Sequence, residues 1–289
     1  MDEGVTMKTG FNLLLWTTEV TEQHLGIFKN LKRTGYDGVE IPIFGGTPDH
    51  YARIGGLLDE VGLERTAVSG IAPSGKNPLS PDKAQQKAAL DYAKLVTDCA
   101  AALGANIVSG PMHSEIGYFS GSGPTAQERR RGIAFHRRTG DYAARKNMRF
   151  AVEALNRFEV YFLNTMEQLA DYLDEVDHPA IKGMYDTFHA NIEEKDPIAA
   201  IRTISKHLIY VHISENDRGT PGKGHIPWAA TYKALHKAKY DDWLTIEAFG
   251  RALPAFAAAI RVWRDFFPTP ESCYRDGLKS MKRGWAKAR

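Results

Sequence analysis

Four successive apolar runs in the second half of the chain end on side chains of the types that bind metal ions. The runs end at Glu153, Asp186, His212 and Glu247. If these residues meet in space, three carboxylates lie together, and their repulsion is costly unless they share a cation or take up protons. An oxygen-rich set with one imidazole suits Mn²⁺ or Mg²⁺, and also Co²⁺. The sequence therefore predicts a divalent metal site.

These runs belong to a pattern that is repeated eight times, in which a short β-type segment precedes a longer stretch of helical periodicity. Continuous apolar runs such as Leu208 to Val211 are typical of strands that are buried on both faces of a parallel sheet. Eight such units in about 250 residues predict an α/β fold, a single (β/α)8 TIM barrel. The predicted strands are 9–15, 38–42, 64–68, 106–110, 149–153, 182–186, 208–213 and 243–247.

A TIM barrel would bring the four strand ends together, because its active site lies at the carboxyl ends of the strands. A doubly wound open sheet is the alternative, but no Gly-x-Gly-x-x-Gly turn follows the first strand to support a dinucleotide site. We predict one domain over residues 1–289, with the barrel at about 9–266 and a tail at 267–289. The last helix of the barrel is predicted at 253–266. The lysine- and arginine-rich end is predicted as a solvated helix, with burial of Trp285 in a subunit contact as the alternative.

The composition limits the classes of function. The 289 residues are 43% hydrophobic. Lys+Arg 37 against Asp+Glu 35 give a net charge of +2, and so small a charge does not indicate a surface that binds nucleic acid or an anionic membrane. No apolar stretch approaches the roughly 20 residues of a spanning helix, and no secretory signal is indicated at the start. Two cysteines suit a reducing compartment. We expect a cytoplasmic protein without nucleic-acid or membrane partners.

The loops that follow the last four strands resemble those of a known family. The sequence is similar to the ketose 3-epimerases of D-tagatose, D-psicose (D-allulose) and L-ribulose, within the xylose-isomerase-like barrels, from Thr9 to about Arg251. The most specific parts are Glu153-x-x-Asn-Arg-x-Glu159, Asp186-x-x-His189, residues 212–218, Pro221-Gly-x-Gly224 with Trp228, and Ile246-Glu247.

This resemblance implies a cofactor, a substrate class and roles for seven residues. The residues that bind the metal in that family, usually Mn²⁺, match Glu153, Asp186, His212 and Glu247. The residues that hold the oxygen atoms at the C1 to C3 end of the sugar match Glu159, His189 and Arg218. The implied substrate is a free ketose, and family members form homodimers or homotetramers.

The remote end of the sugar is expected to meet apolar and aromatic side chains at the mouths of the other strands. Trp16, after the first strand, and Phe249, after the eighth, are the candidates. The segment 111–113 leaves the preferred ketose open, and His113 in it either contacts a terminal hydroxyl group or faces solvent.

The resemblance implies an isomerase that inverts C3 next to the C2 carbonyl of the ketose. A metal chelated by O2 and O3 would polarise the carbonyl and stabilise a cis-enediolate. Inversion needs one acid–base group on each face of this planar intermediate, and Glu153 and Glu247 are the natural pair. The expected reactions interconvert D-tagatose and D-sorbose, D-fructose and D-psicose, and L-ribulose and L-xylulose.

Three alternatives stay open. An aldose–ketose isomerase, or a related enediolate-forming enzyme on the same barrel, would exchange a proton at C1 instead of C3. An endonuclease of this fold would need more histidine ligands and a basic groove. A sugar-binding barrel without activity would be expected to lack one of the two glutamates, whereas both Glu153 and Glu247 are present.

Overall fold

A computed structural model describes residues 7–288 and shows eight parallel strands that form a closed barrel. The strands pair in chain order, and the eighth pairs with the first. The predicted TIM-barrel fold is confirmed. The strands are β1 Lys8–Asn12, β2 Gly38–Pro42, β3 Glu64–Val68, β4 Ile107–Gly110, β5 Arg149–Val152, β6 Ile181–Asp186, β7 Leu208–Ile213 and β8 Trp243–Ile246.

The helices lie between the strands along the chain and after the last one. Their ends carry the expected local signals: the hydroxyl group of Thr47 accepts the N–H of His50 and caps α2, which ends at Gly62 with a φ of +76°. The helices are α1 Leu25–Thr34, α2 Pro48–Val61, α3 Lys83–Leu103, α4 Ala126–Ala144, α5 Met166–Val176, α6 Thr187–Glu193, α7 Pro197–Ile204, α8 Trp228–Lys237, α9 Pro254–Ala259 and α10 Pro270–Lys287.

The barrel interior is filled by side chains that alternate along the strands, because residues two apart point to the same side. On β7, the hydroxyl group of Tyr210 lies 2.6 Å from that of Thr66 on β3 and 2.7 Å from that of Thr245 on β8. His212 is the next residue of β7 on this inner side. The hydrogen-bonded residues Thr66, Tyr210 and Thr245 therefore form a layer beneath the carboxyl ends of the strands.

The first strand is shorter than predicted. It ends at Asn12 instead of residue 15, because the Asn12 side chain accepts the N–H of Leu14 at 2.8 Å and starts the 3-10 turn Leu13–Leu15. This turn changes the direction of the chain before Trp16.

The prediction for the C-terminal region was wrong in two respects. Helix α9 covers only Pro254–Ala259, and the chain leaves helical geometry at Arg261, which has a φ of +59°. The helix expected to be solvated at the lysine- and arginine-rich end is present as α10, but it packs against α8 and β8. It has a buried face because apolar residues recur at helical spacing, and Trp285 on that face lies against His236 of the same chain with ring centroids 3.8 Å apart.

No helix within residues 7–288 combines the length and the apolar character that a bilayer crossing requires.

Candidate metal centre and active site

The ends of β5 to β8 bring the four predicted ligand residues together. Glu153, Asp186, His212 and Glu247 each offer one ligand atom, and these atoms all lie within 4.8 Å of one another. All four side chains are buried. A divalent cation surrounded by three carboxylates and an imidazole would remove the repulsion between the carboxylates.

The orientation of His212 fits this role. Its Nε2 lies 2.9 Å from Oε2 of Glu40, whereas its Nδ1 points at the carboxylates, 3.5 Å from both Asp186 Oδ2 and Glu247 Oε1. Among the described residues, neither this Nδ1 nor Oε1 of Glu153 has a hydrogen-bond partner. Buried polar atoms rarely lack partners, so two such atoms facing one point indicate a cation site.

The charges in this cluster shift the pKa values of its members. Burial raises the pKa of Glu153 well above its usual range and that of Glu247 to about 7. Burial opposes charge on Asp186 too, but Arg218 and the neighbouring histidines hold the pKa of Asp186 below its usual range. Desolvation also opposes charge on His212, and Glu40 and Glu247 nevertheless raise the pKa of this imidazole well above 6.5. Without a cation, the carboxylates thus compete for protons.

Arg218 lies beside the cluster. Its Nη1 donates to Asp186 Oδ2 at 3.1 Å and to Glu247 Oε2 at 2.5 Å. Its guanidinium group is sandwiched between two aromatic rings, 3.9 Å from the ring centre of Phe188 and 4.9 Å from that of Phe249. These contacts hold the buried guanidinium group at the edge of a cavity in the barrel mouth.

His189 and Glu159 border the same cavity. The Nδ1 atom of His189 accepts the backbone N–H of Asn156 at 3.1 Å, and the Asn156 side-chain amide donates to Glu159 at 2.7 Å. Burial, with the nearby Arg218, lowers the pKa of His189 to about 4. Its Nε2 lies at the cavity, 2.8 Å from Nη2 of Arg218. Both ring nitrogens thus face donor groups, and a neutral imidazole can accept from only one of them.

The rest of the cavity lining is mostly apolar. Phe249 lines the cavity, but Trp16 is not among the lining residues. Trp16 packs instead on Phe11 and Tyr274, with ring centroids 5.2 and 6.2 Å away, because the turn after β1 directs Leu14 into the cavity. The apolar lining residues are Leu14, Phe44, Val68, Pro111, Ile116, Leu155, Phe249, Phe256 and Ile260.

His113 neither faces solvent nor lines the cavity. It is fully buried, its ring packs on Phe162 with centroids 5.9 Å apart, and its Nδ1 lies 2.9 Å from the hydroxyl group of Ser114. Both expectations for this residue were therefore wrong.

Sequence reasoning missed three polar residues. Glu40, in the middle of β2, and Asn12, at the end of β1, contact the predicted ligands His212 and Glu247. Glu215, after β7, is also buried. In the sequence, Glu40 is the single glutamate within the otherwise apolar run of β2. A search for ligand-type residues at strand ends does not include it.

Glu215 explains the Pro-Gly-x-Gly turn. Its carboxylate accepts the backbone N–H groups of Gly222 and Ile226 and the indole N–H of Trp228, at 2.7, 3.1 and 3.0 Å. A Cβ atom at Gly224 would lie 2.6 Å from Glu215 Oε1, so glycine is needed there. The turn thus closes around the carboxylate of Glu215, three residues before Arg218. Arg218 has a φ of +64° and donates its backbone N–H to the carbonyl group of Glu215.

The fold and this site together define a barrel enzyme that works at the carboxyl ends of its strands. The profile of the xylose isomerase-like TIM barrel family matches residues 28–283. A probable ketose 3-epimerase from Synechocystis sp. is 31% identical over 277 residues, which is 96% of each chain. An L-ribulose 3-epimerase from Methylomonas sp. is also 31% identical, over 87% of this chain and 88% of its own length.

Solved structures agree with these relatives. The crystal structure of a D-allulose 3-epimerase from Methylomonas sp., in complex with D-allulose, superposes with a TM-score of 0.89 at 27% identity, covering 96% of this chain and 97% of the other. The chain therefore belongs to the ketose 3-epimerases of the xylose isomerase-like TIM barrel family. It is an enzyme of the isomerase class, and more narrowly a racemase or epimerase.

Proposed function

We propose that the protein is a metal-dependent ketose 3-epimerase of free ketoses, with Mn²⁺ as its cation and Mg²⁺ or Co²⁺ as substitutes. The observation that carries the proposal is the pair Glu153 and Glu247, which come from β5 and β8 and share one buried cluster with Asp186 and His212. The proposed reactions interconvert D-tagatose and D-sorbose, D-fructose and D-psicose, and L-ribulose and L-xylulose.

In this proposal the two glutamates divide the acid–base work. A divalent cation held by the four residues would supply a Lewis acid that polarises the C2 carbonyl group. One glutamate removes the C3 proton, and the other, in its protonated form, delivers a proton to the opposite face of the planar enediolate. Their roles exchange with the C3 configuration of the substrate, because the reverse reaction follows the same path.

The neighbouring side chains would orient the sugar. Nη2 of Arg218 and Nε2 of His189 lie 2.8 Å apart at the cavity. A substrate oxygen atom held there would accept from Arg218, and also from His189 when the imidazole proton is on Nε2. The carboxylate of Glu159 would accept a hydrogen bond from a hydroxyl group. Phe249 and its apolar neighbours would contact the remote carbons and exclude water.

Related proteins support the substrate class. Relatives carry the names D-psicose 3-epimerase and L-ribulose 3-epimerase, and the structural neighbour from Methylomonas sp. holds D-allulose. These names cover hexuloses and pentuloses, so they do not select one ketose. A cytoplasmic location and a homodimer or homotetramer remain predictions from the sequence.

Product identification tests this function. The purified protein, loaded with Mn²⁺, is incubated separately with D-tagatose, D-fructose and L-ribulose, and the sugars are separated by chromatography. We expect the C3-epimeric ketose from at least one substrate and no product after chelation of the metal. Formation of an aldose as the main product would instead identify an aldose–ketose isomerase, and three unchanged sugars would contradict the proposed substrates.

A further inference from the structure

Glu40 is a buried carboxylate on the side of the barrel opposite the four candidate ligands. It is fully buried, and three donor groups converge on it from three other strands or strand ends. Nδ2 of Asn12 and Nε2 of His212 lie 2.8 and 2.9 Å from its Oε2, and the hydroxyl group of Ser109 donates to its Oε1. Within the described residues, no lysine or arginine lies within ion-pair distance of this carboxylate.

A buried carboxylate without a permanent counterion is costly, so its contacts should indicate what compensates it. Accepting a hydrogen bond from Nε2 of His212 fixes the tautomer whose Nδ1 can bind a cation. Asn12 links the same carboxylate to a second ligand, because its Nδ2 also lies 3.0 Å from Oε1 of Glu247. Glu40 thus contacts one candidate ligand directly and another through one side chain.

We propose that Glu40 is a positioning residue for the metal centre. It holds His212 in the orientation and tautomer that present Nδ1, holds Glu247 through Asn12, and adds a negative charge that strengthens cation binding. This inference rests on the metal site of the proposed function and is independent of which sugar is converted. Mutating a carboxylate that orients a metal-bound histidine commonly weakens metal binding by about 10- to 100-fold.

Replacing Glu40 with glutamine removes the charge of the side chain and keeps its shape. In Glu40→Gln, one amide oxygen can accept from both Asn12 and His212, because both donate to the same carboxylate oxygen. The amide nitrogen would face Ser109, whose hydroxyl group can turn to the carbonyl oxygen of Ala67, 3.2 Å away. The variant therefore keeps the hydrogen-bonded arrangement and removes the charge. Thr66→Val is the matched control, because Thr66 is a buried polar residue of the barrel interior that bonds to Tyr210 and contacts none of the four ligands.

The experiment measures Mn²⁺ binding by electron paramagnetic resonance of free Mn²⁺, with thermal unfolding of the metal-free proteins alongside. We expect the Kd for Mn²⁺ to rise about 10-fold or more in Glu40→Gln and to stay within about 2-fold in Thr66→Val, with similar metal-free melting temperatures. A Glu40→Gln protein that binds Mn²⁺ as tightly as the parent, or a control that loses as much affinity, would overturn the proposal.

If Glu40→Gln does not fold, Glu40→Asp is measured in the same way. Its shorter side chain withdraws the carboxylate from His212, so weaker Mn²⁺ binding is expected, and unchanged binding would overturn the positioning role. These outcomes are distinct from failure of the proposed function. A protein that converts none of the three ketoses can still lose Mn²⁺ affinity in Glu40→Gln, and an active epimerase can show no effect.

Discussion

The two halves of the barrel mouth are built from different chemistry. The ends of β5 to β8 supply the carboxylates and His212, and helix α6 and the loop after β7 add His189 and Arg218. The ends of β1 to β4 supply mostly apolar contacts such as Leu14 and Val68. The difference suggests a division of labour in which the polar half performs proton transfer and the apolar half selects the substrate by shape.

Two histidines show how strongly the surroundings differ. His212, on β7, faces several carboxylates, and although burial opposes its charge, Glu40 and Glu247 raise its pKa well above the usual value. His113, in the loop after β4, has no carboxylate partner among the described residues, and burial lowers its pKa to about 4. The same side chain is therefore a ligand-type group in one half and a neutral packing residue in the other.

The largest effect is expected from the two glutamates of the polar half. Glu153→Gln or Glu247→Gln should lower kcat for ketose epimerisation by about 10³-fold, because each removes one of the two acid–base groups. Steady-state kinetics at saturating Mn²⁺, with metal content measured, checks this. Glu64→Gln, an exposed residue paired with Lys8 at the other end of the barrel, is the control and should be unaffected. Near-normal kcat in both active-site variants would refute the two-base assignment.

A smaller loss is expected from Arg218. Arg218→Met keeps an unbranched chain between Phe188 and Phe249 but removes the donors to the substrate, so kcat/KM should fall about 100-fold. The exposed Arg251, paired with Asp265, provides Arg251→Met as a control with unchanged kinetics. An equal loss in both variants would show that Arg218 has no special role.

The neutral histidines of the apolar half predict a pH dependence of stability. Burial lowers the pKa of His113 to about 4 and, with His113 nearby, that of His136 to about 3. Below about pH 6.5 the unfolded chain binds protons at these residues and the folded protein does not, so stability falls as the pH falls. Between pH 7 and pH 5 each histidine should cost about 2 kcal/mol of unfolding free energy.

Urea denaturation at the two pH values checks this expectation. In His136→Gln the loss of stability between pH 7 and pH 5 should shrink by about 2 kcal/mol relative to the parent protein. An unchanged pH dependence would indicate that His136 is protonated in the folded protein.

The smallest effect is expected from shortening one apolar side chain of the cavity lining. Ile116→Ala should change the ratio of kcat/KM for D-fructose and L-ribulose by about 10-fold, because the two ketoses differ in length at the remote end. Mn²⁺ affinity should not change, since Ile116 offers no ligand atom and is not one of the four residues of the cluster. The control is Ile27→Ala on α1, outside the barrel. If the substrate ratio is unaffected while Mn²⁺ affinity falls, the division between the two halves is wrong.

The sequence predicted the barrel because buried parallel strands appear as apolar runs at regular intervals. It also predicted a helix at the lysine- and arginine-rich end, but it missed that this helix, α10, has a buried face that includes Leu278, Met281 and Trp285. It also extended the last predicted helix to residue 266, because apolar composition alone did not reveal the change of backbone geometry at Arg261.

The candidate ligands were predictable because each one lies at or next to the carboxyl end of a strand, and these ends meet at the barrel mouth. Glu40 was not, because it lies within a strand and becomes significant only when the closed barrel places β2 opposite β7. Trp16 was assigned wrongly for a related reason. Its position after β1 was clear, but the turn that begins at Asn12 decides which side chain enters the cavity.

The position of hydrogen exchange on the sugar tests the central claim most directly. The Mn²⁺-loaded protein is incubated with D-tagatose, D-fructose or L-ribulose in deuterated water, and the sugars are followed by nuclear magnetic resonance. Proton transfer by Glu153 and Glu247 predicts deuterium at C3 together with the C3 epimer. Exchange confined to C1 would contradict the account.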